Sequence, residues 1–417
     1  MRKTWFAVLG GTLTLALAAC GGSAPPGAAD EDAGGATGSA EVIKIGSLHP
    51  LSGAAAADGQ QMDNGAKLAV EAINEAGGIE SLGGAKLELV SADTQGKPEV
   101  GQSEAQRLIQ EGVVGLVGTY QSAVTANVST VAERNKVPLV IDVSSADSIL
   151  QQGYSYTFRV QPSSSVLGGG GATYLAEVSE AAGSPAKTVA ILHEQGPFGS
   201  GVRDAFVAEA EKRGMTIGPV IAYDAASVSD FTTQITQVKA AGVDVLMVAG
   251  YYRDGVLVAQ AVDTVQPGLD AVWGVANGAF DLPQFPAEVG EAGEGYFDAN
   301  YHPDMTNPEM QDLAALYRER FNDEIRTGAV LAYDAVRVIA AALESAGDAD
   351  PTAVRDAIAE NEVDTLIAGN GPISFDEVGE NVNAAPILMQ VQSGKVVQVY
   401  PEEFAEAEPV YPAFQAR

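Results

Sequence analysis

The chain has 417 residues, one cysteine, and 23 Lys and Arg against 55 Asp and Glu, a formal charge of −32. That balance excludes a nucleic-acid partner, which requires a basic surface. The single Cys20 excludes an intrachain disulfide.

The first twenty residues read as an export segment outside the fold. Arg2 and Lys3 form its positive start, and Trp5 to Ala16 is an apolar run shorter than a membrane span of roughly 20 residues. "LAAC" ends at Cys20 and resembles the bacterial lipobox, in which that cysteine becomes the lipidated first residue. Loss of Arg2 and Lys3 with the segment takes the charge to −34. The acids are dispersed along the chain, as on a solvated surface. Residues 21–40, "GGSAPPGAADEDAGGATGSA", lack the side chains for a core and read as a disordered tether. The later sequence has no run of 18 apolar residues, so the expectation is a lipid-anchored, extracytoplasmic protein that does not cross the membrane.

From Glu41 the chain is long enough for two lobes. "EVIKIGSL" alternates as a strand, and "HPLSGAAAADG" is a loop containing Ser52. A helix follows, with Asp58 and Gln61 as a capping box and Met62, Ala66, Ala69, Val70 and Ile73 on one face. "AKLELVSA" is the next strand, and Pro98 to Glu111 the next helix. "VVGLVG" and "AVTANVSTVAERN" form the third pair, and "VPLVIDV" runs into "SSAD". Alternation of this kind predicts a parallel, doubly wound sheet. It restarts at "TVAILHE" and runs through "DAVWGV", which predicts a second α/β lobe of the same topology. The helices of 307–362 then point to a return to the first lobe, and "GPISFDE", "PILMQVQ" and "KVVQVY" read as strands. The predicted fold is two doubly wound α/β lobes, with residues 41–160 and 298–372 in the first and 161–297 and 373–417 in the second.

Catalytic signatures are missing. His49, His193 and His302 are scattered without metal-site spacing, so no metal or other cofactor is expected. No nucleophile elbow or P-loop appears, and "GGGG" at 168–171 lacks the dinucleotide fingerprint. These residues read as close packing at a helix start. An enzyme is not expected.

In a doubly wound sheet, ligands bind at the carboxyl ends of the strands. The loops there carry Ser52, Ser122 in "TYQSAV", and Ser144 and Ser145 in "VSSAD". In the second lobe they carry His193, Phe198, Tyr251, Tyr252 and Asn277. Such a set binds by hydrogen bonding and aromatic packing, with no activated nucleophile. Ser122 lies where a helix start leaves free backbone N–H groups, a setting that favours anions.

"IKIGSLHPLSG", "NGAKLAVEAINEAGGI", "LVGTYQSAVTANVSTVAERNKVPLVI" and "YTFRVQP" resemble the type I periplasmic solute-binding proteins of ABC importers, in their branched-chain amino-acid-binding (leucine/isoleucine/valine) subfamily. The likeness runs from about Val42 to about Tyr400. It implies two lobes joined by a three-strand hinge, closing on a small-molecule solute that a monomer delivers to the membrane permease subunits of an ABC importer. It also implies roles by position. Ser122 and the backbone around Ala123 would grip a carboxylate, Val143 would offer a carbonyl to an ammonium, and Ser145 would bond both. Tyr251 would close over the ligand. Phe198 stands where a tyrosine is usual. The acid that pairs with the ammonium has no clean counterpart, and "VWGVANGAFD" offers Asn277, or Asp281 further on. An amide, urea or a carboxylic acid therefore stays open beside an amino acid, as does a sensory role towards a membrane partner.

Overall fold

The computed structural model describes residues 42–414; the export segment, Cys20 and the tether lie outside the described residues. Five strands form the first sheet: β1 (Ile43–His49), β2 (Leu87–Asp93), β3 (Gly115–Gly118), β4 (Leu139–Ile141) and β5 (Thr157–Arg159). Their order is β2-β1-β3-β4-β5 and every pair is parallel. The apolar runs explain the arrangement. "GLVG" and "LVI" are buried throughout, because helices cover both faces of the sheet.

One face carries α1 (Ala56–Glu75) and α10 (Thr327–Ala346), which share a core with Ile45, Val117 and Val140. The other carries α2 (Pro98–Gln110) and α3 (Ser122–Asn135), packed on Leu48, Leu116 and Ile141. Helices α9 (Pro308–Phe321) and α11 (Pro351–Glu360) join the first of these cores, so the late helices do return to the first lobe.

The second sheet has the order β12-β11-β10-β9-β8-β6-β7. Strands β6 (Thr188–Glu194), β7 (Thr216–Tyr223), β8 (Val245–Ala249), β9 (Ala271–Val275) and β10 (Phe297–Asn300) are parallel. Strands β11 (Ile387–Gln392) and β12 (Lys395–Tyr400) add an antiparallel edge. Helices α4 (Ser164–Ala181) and α5 (Pro197–Lys212) cover one face, and α6 (Thr232–Ala241), α7 (Tyr252–Val265) and α8 (Gln284–Val289) the other. The glycine run at 168–171 lies inside α4. A Cβ on Gly168 would come within 2.5 Å of the Val202 carbonyl of α5, so this glycine lets two helix backbones approach, while Gly170 and Gly171 make room for Pro386 and Val275.

The chain crosses between lobes three times, after β5, after β10 and before β11. Two expected boundaries move. Residues 298–300 belong to β10 of the second sheet, not to the first lobe. Residues 373–382 stay on the first lobe: Phe375 packs against Phe158 at 5.2 Å, and Asn381 Nδ2 donates to the Val160 carbonyl at 2.7 Å. "GPISFDE" is correspondingly no sheet strand; it makes only isolated bridges, Val363 with Ile373 and Phe375 with Asn381.

Candidate functional site

The carboxyl ends of both sheets meet in a cavity of about 60 Å³, measured to the centre of a water molecule. That is room for several waters, and so for a small polar solute. On the first-lobe side it is lined by Ser122, Val143, Ser145 and Tyr120. Phe198, Tyr251 and Asp281 face them from the second lobe, and Asn300 and Tyr301 come from the crossing after β10.

The Ser122 pole follows from local sequence. Strand β3 ends at Gly118, and α3 begins four residues later. The amides of Val124 and Thr125 donate to the Gln121 carbonyl. Those of Ser122 and Ala123 have no acceptor among the described residues, and both belong to the first turn. The Ser122 hydroxyl oxygen accepts from the Ala146 amide at 3.3 Å, which leaves its proton free to donate. Ser145 Oγ lies 3.0 Å from Ser164 Oγ. Together these groups offer several donors to one anionic or carbonyl oxygen.

The opposite pole is Asp281. It is 2% exposed. Its Oδ2 accepts from Thr327 Oγ1 at 3.4 Å and lies 3.6 Å from His302 Nδ1. Behind it Asp298 is fully buried, taking the Asn277 amide on Oδ1 at 3.2 Å. Burial first, and then the nearby Asp281 carboxylate, hold the Asp298 carboxyl well above the usual carboxylate range.

A third polar group, Asp58 with Arg326, also borders the cavity. Arg326 Nη1 donates to Asp58 Oδ1. Burial pushes the Asp58 carboxyl up, and Arg326 opposes that push. The rings of Tyr120 and Tyr251 lie 5.3 Å apart across the cleft, and those of Tyr251 and Phe198 5.6 Å. Burial, the largest cause in each case, raises the phenols of Tyr120, Tyr251 and Tyr301 well above their ordinary value, so they act as neutral hydrogen-bonding groups.

The expected site residues divide. Ser122, Val143, Ser145, Phe198, Tyr251 and Asp281 line one cavity. Ser52 does not; its hydroxyl donates to Asp93 Oδ2 at 2.6 Å in an exposed loop, so it stabilises a turn. Ser144 turns inward and donates to the Thr119 carbonyl. Asn277 also turns inward, where its Oδ1 accepts the Ala279 amide at 3.0 Å in a local Asx turn. Ala123 presents only its backbone, at the free end of α3. Asp58, Tyr120, Asn300, Tyr301, Arg326 and Thr327 are lining residues that the sequence reading missed. Asp58 and Gln61 do not form a capping box. Gln61 Nε2 instead donates to Asp323 Oδ2 at 2.9 Å and to the Glu324 carbonyl at 3.0 Å.

Three buried groups resemble a catalytic constellation without its chemistry. Ser47 Oγ lies 3.0 Å from His49 Nδ1, and His49 Nε2 lies 2.5 Å from Asp142 Oδ2. All three side chains are closed to solvent, and the Ser47 hydroxyl donates to Asp63 at 2.7 Å. What the chain does is hold Asp142, whose Oδ1 accepts the Val143 amide at 2.7 Å and so fixes the strand end beside the cavity. Among the described residues no group of three His, Cys, Asp or Glu is placed to hold a metal ion.

Two α/β lobes with a cavity between their strand ends are the architecture of a two-lobed binding protein. Residues 42–395 match the periplasmic binding protein family, and the chain belongs to it. It is 30% identical over 360 residues to the Leu/Ile/Val-binding protein homolog 3 of Brucella melitensis, covering 85% of this chain and 93% of that protein. It is 30% identical over 349 residues to the leucine-, isoleucine-, valine-, threonine- and alanine-binding protein of Pseudomonas aeruginosa, covering 82% and 88%. Among solved structures it is similar to the branched-chain amino acid transporter substrate-binding protein LivJ of Streptococcus pneumoniae in complex with isoleucine, with a TM-score of 0.75, 26% identity and coverage of 89% and 100%. A solute-binding protein of an ABC transporter from R. palustris in complex with benzoate shares the fold at a TM-score of 0.72 and 19% identity, covering 88% and 99%.

Proposed function

We propose that this protein is the extracytoplasmic solute receptor of an ABC importer, and that it captures an α-amino acid between its lobes. Leucine, isoleucine and valine are the first candidates. One observation carries the reading: the cavity has a donor-rich pole at Ser122, Ala123 and Ser145, and an acidic pole at Asp281. A carboxylate fits the first and an ammonium the second. Neither charge is then buried without a partner, an omission that would cost several kcal/mol. The relatives named for leucine, isoleucine and valine support the choice. Lipidation at Cys20 would keep the monomer at the membrane, where it meets the permease subunits.

A second reading rests on the rings. Tyr120, Phe198, Tyr251 and Tyr301 all border the cavity, a lining that also suits a carboxylic acid with an apolar or aromatic body and no ammonium. A thermal-shift screen separates the two. A ligand at about 100 times its Kd adds roughly 2.7 kcal/mol, which raises the melting point by at least a few degrees in a chain of this size. Shifts with branched-chain amino acids support the first reading. Shifts with benzoate, amides or urea alone support a site without an ammonium pole.

A further inference from the structure

The segment Asp323–Thr327 leads into α10 on the first lobe and touches the second lobe at three successive places. The Glu324 carbonyl accepts from Gln284 Nε2 of α8 at 3.1 Å. The Arg326 guanidinium lies 4.5 Å above the ring of Tyr252, the first residue of α7. Thr327 donates to Asp281. The segment is itself held on its own lobe. Gln61 bonds Asp323, the Glu324 carbonyl and, through Oε1 at 3.1 Å, the Arg326 amide. Asp58 holds the guanidinium by its Nη1 edge.

Tyr252 is fixed as well. Its hydroxyl donates to Glu288 Oε2 at 2.7 Å, and it follows Tyr251, which lines the cavity. Four side chains therefore form a line across the mouth of the cleft: Asp58, Arg326, Tyr252 and Glu288. Both ends are anchored within their own lobes, and within this line of four the step from one lobe to the other is the cation against the ring. With the Asp58 and Arg326 side chains each 13% exposed, the crossing contact is largely desolvated, the setting in which a cation–π contact is strongest.

We propose that Arg326 and Tyr252 are the closure-determining pair of this receptor: they hold the lobes shut over the solute and set its rate of escape, without touching the parts of the solute that Ser122 and Asp281 grip. The proposal rests on the reading that the lobes close on a bound solute, and it predicts a separation of rate constants. Association begins in the open form, where the pair is apart. Dissociation requires that it break. Loss of the crossing contact therefore raises koff and leaves kon alone.

The test is stopped-flow fluorescence with L-leucine as probe and benzoate as second probe, on wild type, Tyr252→Leu, Tyr252→Phe and Arg326→Met. Tyr252→Leu and Arg326→Met are expected to raise koff about three- to thirtyfold, with kon within about twofold of wild type. Tyr252→Phe keeps the ring and loses only the bond to Glu288, so its koff stays close to wild type. A merely structural role for the tyrosine would instead lower the ligand-free melting point and leave koff alone. An unchanged koff in Tyr252→Leu and Arg326→Met, or equal effects of Tyr252→Leu and Tyr252→Phe, overturns the pair and leaves the receptor reading intact. Binding of benzoate without leucine, with koff raised in Tyr252→Leu, upholds the pair and removes the amino acid.

Discussion

Thr327 of the first lobe donates to Asp281 of the second at 3.4 Å, across the cavity's acidic pole. The bond leaves Oδ1 of Asp281 without a partner among the described residues, so a ligand ammonium has a free carboxylate oxygen to meet. It also ties that pole to the start of α10, the segment that spans the cleft. Binding chemistry and lobe contact thus share a residue.

The donor pole is tested by Ser122→Ala and Ser145→Ala. Each removes a hydroxyl that faces the cavity. A hydrogen bond to a charged group contributes roughly 1.5–3 kcal/mol, so each variant is expected to weaken binding about ten- to hundredfold. Ser122→Ala carries a further cost, because the Ala146 amide loses its acceptor. Calorimetric titration of both variants checks this, and wild-type affinity in both would place the carboxylate elsewhere.

Asp254 gives a pH dependence of defined sign. Burial pushes its carboxyl up to about 6, against an accepted bond from the Tyr251 amide at 3.1 Å. The folded state therefore binds this proton more tightly than the unfolded chain, whose value is near 3.9. Stability from this group falls as pH rises between about 4 and 6, and the full penalty remains above 6. Asp254→Asn is expected to be more stable than wild type at pH 7.5, by about 1–3 kcal/mol, with the difference vanishing near pH 4. Melting curves at the two pH values decide it; a variant equally destabilised at both would show that Asp254 acts only as an ionised cap.

Gly65 of α1 lies against α10, and a Cβ there would meet the Ala329 carbonyl oxygen at 2.0 Å. Gly65→Ala improves helix propensity by about 1 kcal/mol. Overpacking is nevertheless expected to win, for a net loss of about 1–3 kcal/mol in chemical denaturation. A stabilised variant would mean that the two helices part at no cost.

Anchoring is tested at Cys20. Cys20→Ala is expected to move the protein from the membrane to the medium or soluble fraction on fractionation. Unchanged membrane association would refute lipidation there. A single acyl chain anchors only marginally, which fits a lipid with more than one chain.

Strand and helix order was legible along most of the chain, because apolar runs between helix-like patterns are the direct imprint of a sheet covered on both faces. Ser122 and Ser145 were legible for the same reason: each follows a buried strand, and strand ends open on the cleft. Arg326 was not. Its partner Asp58 is 268 residues away, and no local pattern reports a pairing made by the chain's return to the first lobe. Asp58 read as a cap because capping is a local rule, which the tertiary ion pair overrode. The choice between Asn277 and Asp281 turned on backbone geometry. Ala276 takes a positive φ of 51°, and Asn277 closes an inward turn, which leaves Asp281 on the cavity. The boundaries near 298 and 373 were missed because β10 and the loop at 373–382 each lie at a crossing, where side-chain pattern does not say which lobe is met.

The most direct measurement is isothermal titration of wild type and Asp281→Asn with L-leucine, L-isoleucine, L-valine, benzoate and urea. A zwitterion held between Ser122 and Asp281 requires that at least one branched-chain amino acid bind the wild type. It also requires that Asp281→Asn weaken that binding more than about a hundredfold, the effect of leaving a buried ammonium without its counter-charge. Amino-acid binding that survives Asp281→Asn, or heat from benzoate or urea with none from the amino acids, would contradict it.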